Sequence, residues 1–350
     1  MNKRDELHNK ILKDYGEDAV GILKAGAVVP TGSLGLDAVI GCGGIPLGTM
    51  TEIFGPSSGG KTMMSYSIIG NAIRKFKKPC AIIDMETSFN DTWAMTLGVN
   101  LELDKSGRNY KWLDKIYPPN GTGDEAVDIL EDAVKSGVYS VIVVDSVDAL
   151  TPVEEMEGKT EDVKKRPGLK AKLLAVAMRK LNPWVKKTNT AVVFINQIRD
   201  NIGVMWGDPE TTPGGLALKF YCSVRLRVNR VGKQITDPES GEIVGHTVNV
   251  KTKKTRFGAP FREAEFNLLY YRGLDRFGEI YNLGKKYGVI KQSGSNFVYD
   301  GTNLGNKENL REEMKKDPLL VKELYDATLK EMMAVLHPRQ VIYEEDDIIM

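Results

Sequence analysis

Between residues 50 and 200 the apolar positions fall into short unbroken runs separated by segments of helical period. Cys80 to Ile83 closes on Asp84, Val141 to Val144 closes on Asp145, and Ala191 to Ile195 leads into Asn196-Gln197, while Thr51 to Phe54 reads as a further short strand. Runs of this length without alternation predict strands covered on both faces. Met63 to Phe76, Glu125 to Val134 and Leu169 to Leu181 repeat apolar residues at helical spacing. This alternation predicts an α/β fold: a mainly parallel twisted sheet with helices on both faces. Further on, Val224 to Arg230, His246 to Lys254 and Phe261 to Tyr270 mix apolar with polar positions, which predicts an antiparallel extension whose hairpin tip is Asp237 to Gly241. Residues 5 to 24 carry a weak amphipathic pattern broken near Gly16, either an arm that reaches out or a helix capping the next domain. The expected organisation is an N-terminal helix and arm over 1–30, a core over 31–270, and a small C-terminal domain over 271–336. That last region includes one helical run from Asn309 to Leu336, and an acidic tail follows over 337–350.

Composition narrows this picture only slightly. With 48 basic against 47 acidic residues, any nucleic-acid surface has to come from local clustering. The cysteines Cys42, Cys80 and Cys222 form no C-x-x-C pair, which argues against a zinc site or a disulfide framework. No apolar run approaches membrane length and the N-terminus is charged, so a cytoplasmic protein without a membrane partner is expected.

One stretch carries specific chemistry. Gly55-Pro56-Ser57-Ser58-Gly59-Gly60-Lys61-Thr62 matches the phosphate-cradling pattern G-x-x-x-x-G-K-[ST] and lies between a predicted strand and a predicted helix. Glycines let backbone N–H groups curl around phosphates, and the helix N-terminus adds its positive end. Lys61 then reaches the terminal phosphates and Thr62 ligates Mg²⁺. Ligands of such sheets sit beyond the carboxyl ends of the strands, where Glu86, Asp145 and Gln197 fall. Asp145 suits Mg²⁺ held through water, Glu86 suits orienting or deprotonating the attacking water, and Gln197 suits reporting γ-phosphate occupancy.

Two segments read as long loops. Arg199 to Gly215 carries Met205-Trp206, and Trp206 is either a stacking platform for unpaired bases or an aromatic packed on its own domain. Pro152 to Gly168 precedes a helix that places Lys172 and Arg179 on one face, either merely solvated or touching phosphates. The basic run Lys251 to Arg256 reads by itself as a solvated strand edge.

The runs Thr31 to Leu34, Gly55 to Thr62, Val141 to Ser146, Ala177 to Leu181, FINQIR at Phe194 to Arg199, IGVMWGDPE at Ile202 to Glu210 and GGLALKFYCSVR at Gly214 to Arg225 together resemble the bacterial RecA recombinase family over residues 31 to 285. The resemblance implies a RecA-type P-loop ATPase core and an ATP- and Mg²⁺-dependent DNA recombinase. Such a protein forms a helical homo-oligomer on single-stranded DNA, pairs it with homologous double-stranded DNA and exchanges strands. It implies Lys61 and Thr62 as phosphate and Mg²⁺ contacts, Glu86 as the catalytic carboxylate, Asp145 as the second Mg²⁺ anchor and Gln197 as the link to DNA. It also implies DNA-binding loops at about 157–168 and 198–213, with Lys172, Arg179, Arg199 and Trp206 at the nucleic acid. Lys254 and Arg256 match a basic pair that reaches the neighbouring subunit's ATP, and Phe220 matches an interface aromatic. Trp93 stands at the family's adenine-stacking tyrosine, Asn90 at a base-reading aspartate, and Arg256 replaces a lysine. A ring helicase or an ATP-gated DNA scaffold on the same fold is the alternative.

Overall fold

The computed structural model describes residues 2–15, 26–107, 109–159, 168–200, 210–237 and 240–338. Nine strands form the central sheet: β1 (Met50–Gly55), β2 (Cys80–Asp84), β3 (Leu113–Ile116), β4 (Val141–Asp145), β5 (Ala191–Gln197), β6 (Val224–Thr236), β7 (Ile243–Thr255), β8 (Glu263–Leu269) and β9 (Gly273–Leu274). Their spatial order is β9-β8-β7-β6-β1-β5-β4-β2-β3. The block from β6 to β3 is parallel throughout, and β7, β8 and β9 continue it antiparallel. The Val224 to Arg230 stretch, expected as the start of the antiparallel extension, is therefore parallel to β1 and begins the extension only through its hairpin with β7. A crossover through the second loop and a short helix brings the chain back to the same end of the sheet, which is what parallel pairing requires.

The doubly covered strands explain the unbroken apolar runs. Ile82 and Val143 face a cluster with Ile68, Ile69 and Ala72. Ala81, Ile83, Ile142 and Val144 face a second cluster with Leu130, Val134, Leu174 and Met178 on the other side. Truncating one of the fully buried isoleucines, Ile82 or Ile83, to alanine costs about 2–5 kcal/mol, because it removes buried methyl groups and leaves a cavity.

The helices are α1 (Lys3–Tyr15), α2 (Leu34–Ile40), α3 (Lys61–Phe76), α4 (Asp91–Thr96), α5 (Gly123–Ser136), α6 (Leu169–Thr188), α7 (Ala217–Tyr221), α8 (Arg276–Lys286), α9 (Lys307–Lys316) and α10 (Pro318–Leu336), together with a five-residue helix at Val153–Glu157 where a loop from Pro152 was expected. The first of these leaves Leu7 59% exposed, so its apolar stripe is not buried as a capping helix would bury it. Residues 16 to 25 lie outside the described residues. The helical run expected from Asn309 to Leu336 is two helices, because Asp317 accepts from the N–H groups of Leu319 and Leu320 and starts α10 with Pro318 in its first turn.

The C-terminal helices form their own cluster around Leu310, Met314 and Leu324, and Leu34 and Ala38 of α2 belong to it. Leu36, Val39 and Ile40 of the same helix pack in the core of the sheet. Helix α2 thus joins the two units. At this junction Glu279 accepts from Ser33 Oγ and from the N–H groups of Leu34 and Gly35, while Asp37 accepts from Thr31 N–H and from the Tyr325 hydroxyl. Burial pushes both carboxyls up to about 7.

Candidate functional site

The phosphate loop occupies the turn between β1 and α3. Its first residue is a glycine because β6 passes too close for any side chain: a Cβ on Gly55 would lie 2.0 Å from the Val228 carbonyl oxygen. Gly60, the residue before the helix, has φ of 98°, a left-handed conformation that glycine adopts freely. The Lys61 ammonium is folded onto the loop, donating to the Gly55 carbonyl at 3.1 Å and the Pro56 carbonyl at 2.7 Å. Burial lowers its pKa, and the nearby Asp145 and Glu86 carboxyls work against that shift. Both carbonyl contacts are hydrogen bonds that phosphate oxygens can replace.

Sheet order brings the remaining groups to this loop. Asp84 pairs with Asp145 in register, and Gln197 pairs with Gly55. The Thr62 hydroxyl donates to Asp145 Oδ2 at 3.0 Å, so the two residues read as Mg²⁺ anchors are in contact. Burial pushes the Asp145 carboxyl up to about 6, with the Thr62 bond opposing and the Glu86 and Asp84 charges reinforcing the rise. A dication beside Asp145 offsets that penalty, and a hydroxyl plus one carboxylate is the sparse oxygen set that Mg²⁺ accepts when phosphates and waters complete its shell. The residues present therefore fit the ion.

Glu86 is exposed two residues past β2 and accepts a hydrogen bond from the Ser146 hydroxyl. Buried Asp84 shapes its loop by accepting from the Glu86 N–H at 3.2 Å and the Phe89 N–H at 2.9 Å. Neither Ser146 nor Asp84 was singled out from the chain, although an Asp two residues before the acid is a recognisable turn signal.

Next to Gln197, Asn196 is fully buried and joins three elements. Its amide donates to Glu52 Oε1 at 2.9 Å and to the Pro213 carbonyl at 3.0 Å, while its oxygen accepts from Gln197 N–H at 3.0 Å. Glu52 also accepts from Arg225 Nε at 2.5 Å, and that guanidinium lies 4.7 Å from the Phe54 ring centre. The strand end beside the phosphate loop is thus bonded directly to the root of the second loop.

Asn90 caps α4, its side-chain oxygen accepting from Trp93 N–H at 2.9 Å. This occupies the oxygen and leaves the amide nitrogen as the group able to donate to a base. Trp93 is half-buried and meets Tyr270 edge-on, with ring centres 6.1 Å apart.

The basic pair lies elsewhere. Lys254 is in register with Arg225, which pairs with Glu52 near the start of β1, whereas the phosphate loop follows the end of β1. The Lys254 ammonium donates to the Lys219 and Phe220 carbonyls at 2.8 and 2.9 Å, and Arg256 donates to the Phe220 carbonyl at 3.3 Å. Phe220 is 66% exposed beside them. These three residues sit at the end of the sheet opposite their own subunit's phosphate loop.

Among the expected DNA contacts, Lys172 and Arg179 are exposed on one face of α6, while Leu174, Ala177, Met178 and Leu181 are buried on the other. Arg199 donates to both carboxylate oxygens of Asp148 at 2.9 Å, a partner not foreseen from the chain. Trp206 lies outside the described residues, as do residues 160–167 and 201–209 of the two loops. Among the described residues no helix is long and apolar enough to cross a membrane.

Comparison with known proteins follows this geometry. The family model described as RecA N-terminal domain matches residues 5–275, and that described as RecA C-terminal domain matches residues 278–333. The chain is 44% identical over 298 residues to Protein RecA of Bordetella petrii, covering 85% of this chain and 79% of the relative. It is 42% identical over 334 residues to Protein RecA of Thermus aquaticus, covering 92% and 93%. Among solved structures, the RadB recombinase aligns at a TM-score of 0.50 and 20% identity over 71% of this chain and 98% of its own, a likeness of fold. The phosphate loop, the acids at the ends of β2 and β4, the Asn196-Gln197 strand end and two family models that together span the chain from residue 5 to 333 lead to one conclusion: this chain belongs to the RecA family.

Proposed function

We propose that this RecA-family recombinase and DNA-dependent ATPase hydrolyses ATP at the interface between subunits of a filament formed on single-stranded DNA, pairs that strand with homologous double-stranded DNA and exchanges the strands. The observation that carries the reading is the division of the candidate site residues between the two ends of the sheet. Lys61, Thr62, Asp145 and Glu86 gather at one end, and Lys254, Arg256 and the exposed Phe220 gather at the other. A head-to-tail repeat of subunits brings the two ends together, and when the rotation does not close it generates a helix.

In that arrangement Lys61 exchanges its two carbonyl acceptors for the terminal phosphates. Thr62, and Asp145 through water, hold Mg²⁺, which when bound neutralises charge on the β- and γ-phosphates. The Glu86 carboxylate orients a water and accepts its proton as the water oxygen bonds to the γ-phosphorus and the β–γ bridging bond breaks. Lys254 and Arg256 from the next subunit stabilise charge on the leaving group, as an arginine finger does. Trp93 stacks on the base and Asn90 donates to it. Gln197 senses the γ-phosphate and passes its position to the loop over 198–213 through Asn196 and Pro213. Lys172, Arg179, Arg199 and Trp206 contact the DNA, with Arg199 exchanging Asp148 for a phosphate. The exposed N-terminal helix is the arm that docks on a neighbour, and the protein acts in the cytoplasm.

The test is ATP turnover with and without single-stranded DNA, followed by a homologous strand-exchange assay and imaging of the assemblies. DNA-stimulated turnover, open helical filaments and exchanged strands support the reading. Directional unwinding by closed rings points to a helicase instead, and nucleotide binding without turnover points to a scaffold.

A further inference from the structure

A cavity of about 450 Å³ opens between the core and the C-terminal helices, alongside Ser67 and Arg74 of α3. Four cations line it, Arg74, Arg272, Arg276 and Lys315, and its apolar wall includes Leu97 and Phe277. No carboxylate is among the described residues of that lining. Arg74 stands thirteen residues along α3 from Lys61, which at the rise of an α-helix separates the two by roughly 20 Å.

The cations are poorly compensated. Arg74 donates to the Gly98 carbonyl at 2.6 Å and to Asn71 Oδ1 at 2.7 Å, and Arg276 donates to that same neutral oxygen at 3.2 Å. Two guanidinium groups therefore converge on one amide oxygen, no further apart than those two bonds laid end to end. Burial lowers the Arg74 pKa, and the Arg276 charge lowers it further. Asp37 interacts with the Arg276 charge from the buried junction, but burial holds that carboxyl up at about 7. Lys315 pairs at 2.5 Å with exposed Glu312, and Asp275 pairs with Arg311 at 3.5 Å. The Arg272 side chain is exposed and has no partner among the described residues.

Planar guanidiniums in a fork bind phosphate oxygens in pairs, and the cavity falls in the usual size range of small-molecule sites. Four cations lining one cavity, two of them meeting at a single oxygen, match the clustered charge of a diphosphate better than the single charge of one DNA phosphodiester. We infer that this cavity is a second anion site that binds a small molecule carrying two or more phosphate groups, and that the bound anion ties α3 of the core to the C-terminal helices.

The experiment is calorimetric titration of sodium pyrophosphate into the full chain in magnesium-free buffer at moderate salt, for the unmodified protein and for Lys61→Ala, Arg272→Glu and Lys315→Glu. Lys61→Ala removes the phosphate loop's own cation, so a one-to-one heat that persists in this variant belongs to the cavity. Arg272→Glu alters an exposed, unpartnered side chain, leaves circular dichroism unchanged, and weakens that persistent binding by about tenfold or more. Lys315→Glu weakens it less, because Glu312 already screens the ammonium. Loss of all pyrophosphate binding in Lys61→Ala, or undiminished binding in Arg272→Glu, overturns the inference. A parallel titration with a short DNA duplex separates the sources of phosphate. If Arg272→Glu weakens duplex binding and pyrophosphate does not compete with the duplex, the cavity reads nucleic-acid backbone and the small-molecule assignment falls.

Discussion

The two ends of the central sheet are built on opposite plans. At the carboxyl end of the parallel strands the polar groups are already engaged with one another: Thr62 with Asp145, Ser146 with Glu86, and Lys61 with its own loop. At the other end Lys254 and Arg256 donate, among the described residues, to carbonyls of a one-turn helix, beside a phenylalanine that is 66% exposed. The first end is an organised half-site. The second has charge and apolar surface, and on the proposed reading its chemistry is completed by another copy of the chain.

The sharpest test of that division is Lys61→Ala. We expect it to lower DNA-stimulated ATP turnover by about a thousandfold or more while the fold persists, because the cation on the terminal phosphates is gone; turnover within tenfold of the parent would remove the phosphate loop from the chemistry. Next in size is Arg256→Ala, expected to reduce turnover by about a hundredfold or more in filaments while leaving nucleotide affinity of the isolated subunit unchanged. Mixing Arg256→Ala with Lys61→Ala subunits should regain part of the activity, since some interfaces then pair two intact half-sites, and a mixture no better than its components would place both groups in one subunit. Phe220→Ala should weaken self-association by about 2 kcal/mol, read as a shift in the concentration at which sedimenting filaments appear. Trp206→Ala should cost about 1–3 kcal/mol in single-stranded DNA affinity with ATP affinity unaltered, as measured by fluorescence anisotropy.

A separate effect lies at neither end but at the α2 junction. Asp37 ionises near 4 in an unfolded chain and is held up at about 7 when folded, so the folded state binds the extra proton between those values. Its contribution to stability is full below about pH 4, declines as pH rises towards 7, and is then level. Asp37→Asn has no proton to lose. The stability of that variant relative to the parent should therefore climb between pH 5 and 7 in denaturant melts, and a pH-independent difference would show the carboxyl to be ionised throughout.

Local patterns revealed the β2 and β4 strands to the residue, because both faces of each are covered and every position is apolar up to the terminal acid. They also located Lys61 and Thr62, whose role depends on neighbours in the same short segment. The break at Asp317-Pro318 was missed because the apolar period continues across it, while an Asp cap followed by proline is itself a start signal. No role was assigned to Ser146 or Asp148, because nothing adjacent in the chain indicates one; each matters through a partner about fifty or more residues away. Residues 34 to 40 were placed in the core without being read as a helix, and seven residues cannot show that opposite faces serve two different clusters.

The chain by itself therefore determined the elements and the half of the chemistry written in one segment: a strand, a glycine-bearing turn, and a helix beginning with lysine and threonine. These depend on backbone sterics and side-chain period over a few residues. Only the tertiary structure decided that Gln197 lies beside Gly55, that Asp145 bonds to Thr62, and that Lys254 stands at the far end of the sheet. Strand order and direction are set by which apolar faces can be buried together across more than a hundred residues of chain, and no local pattern carries that information.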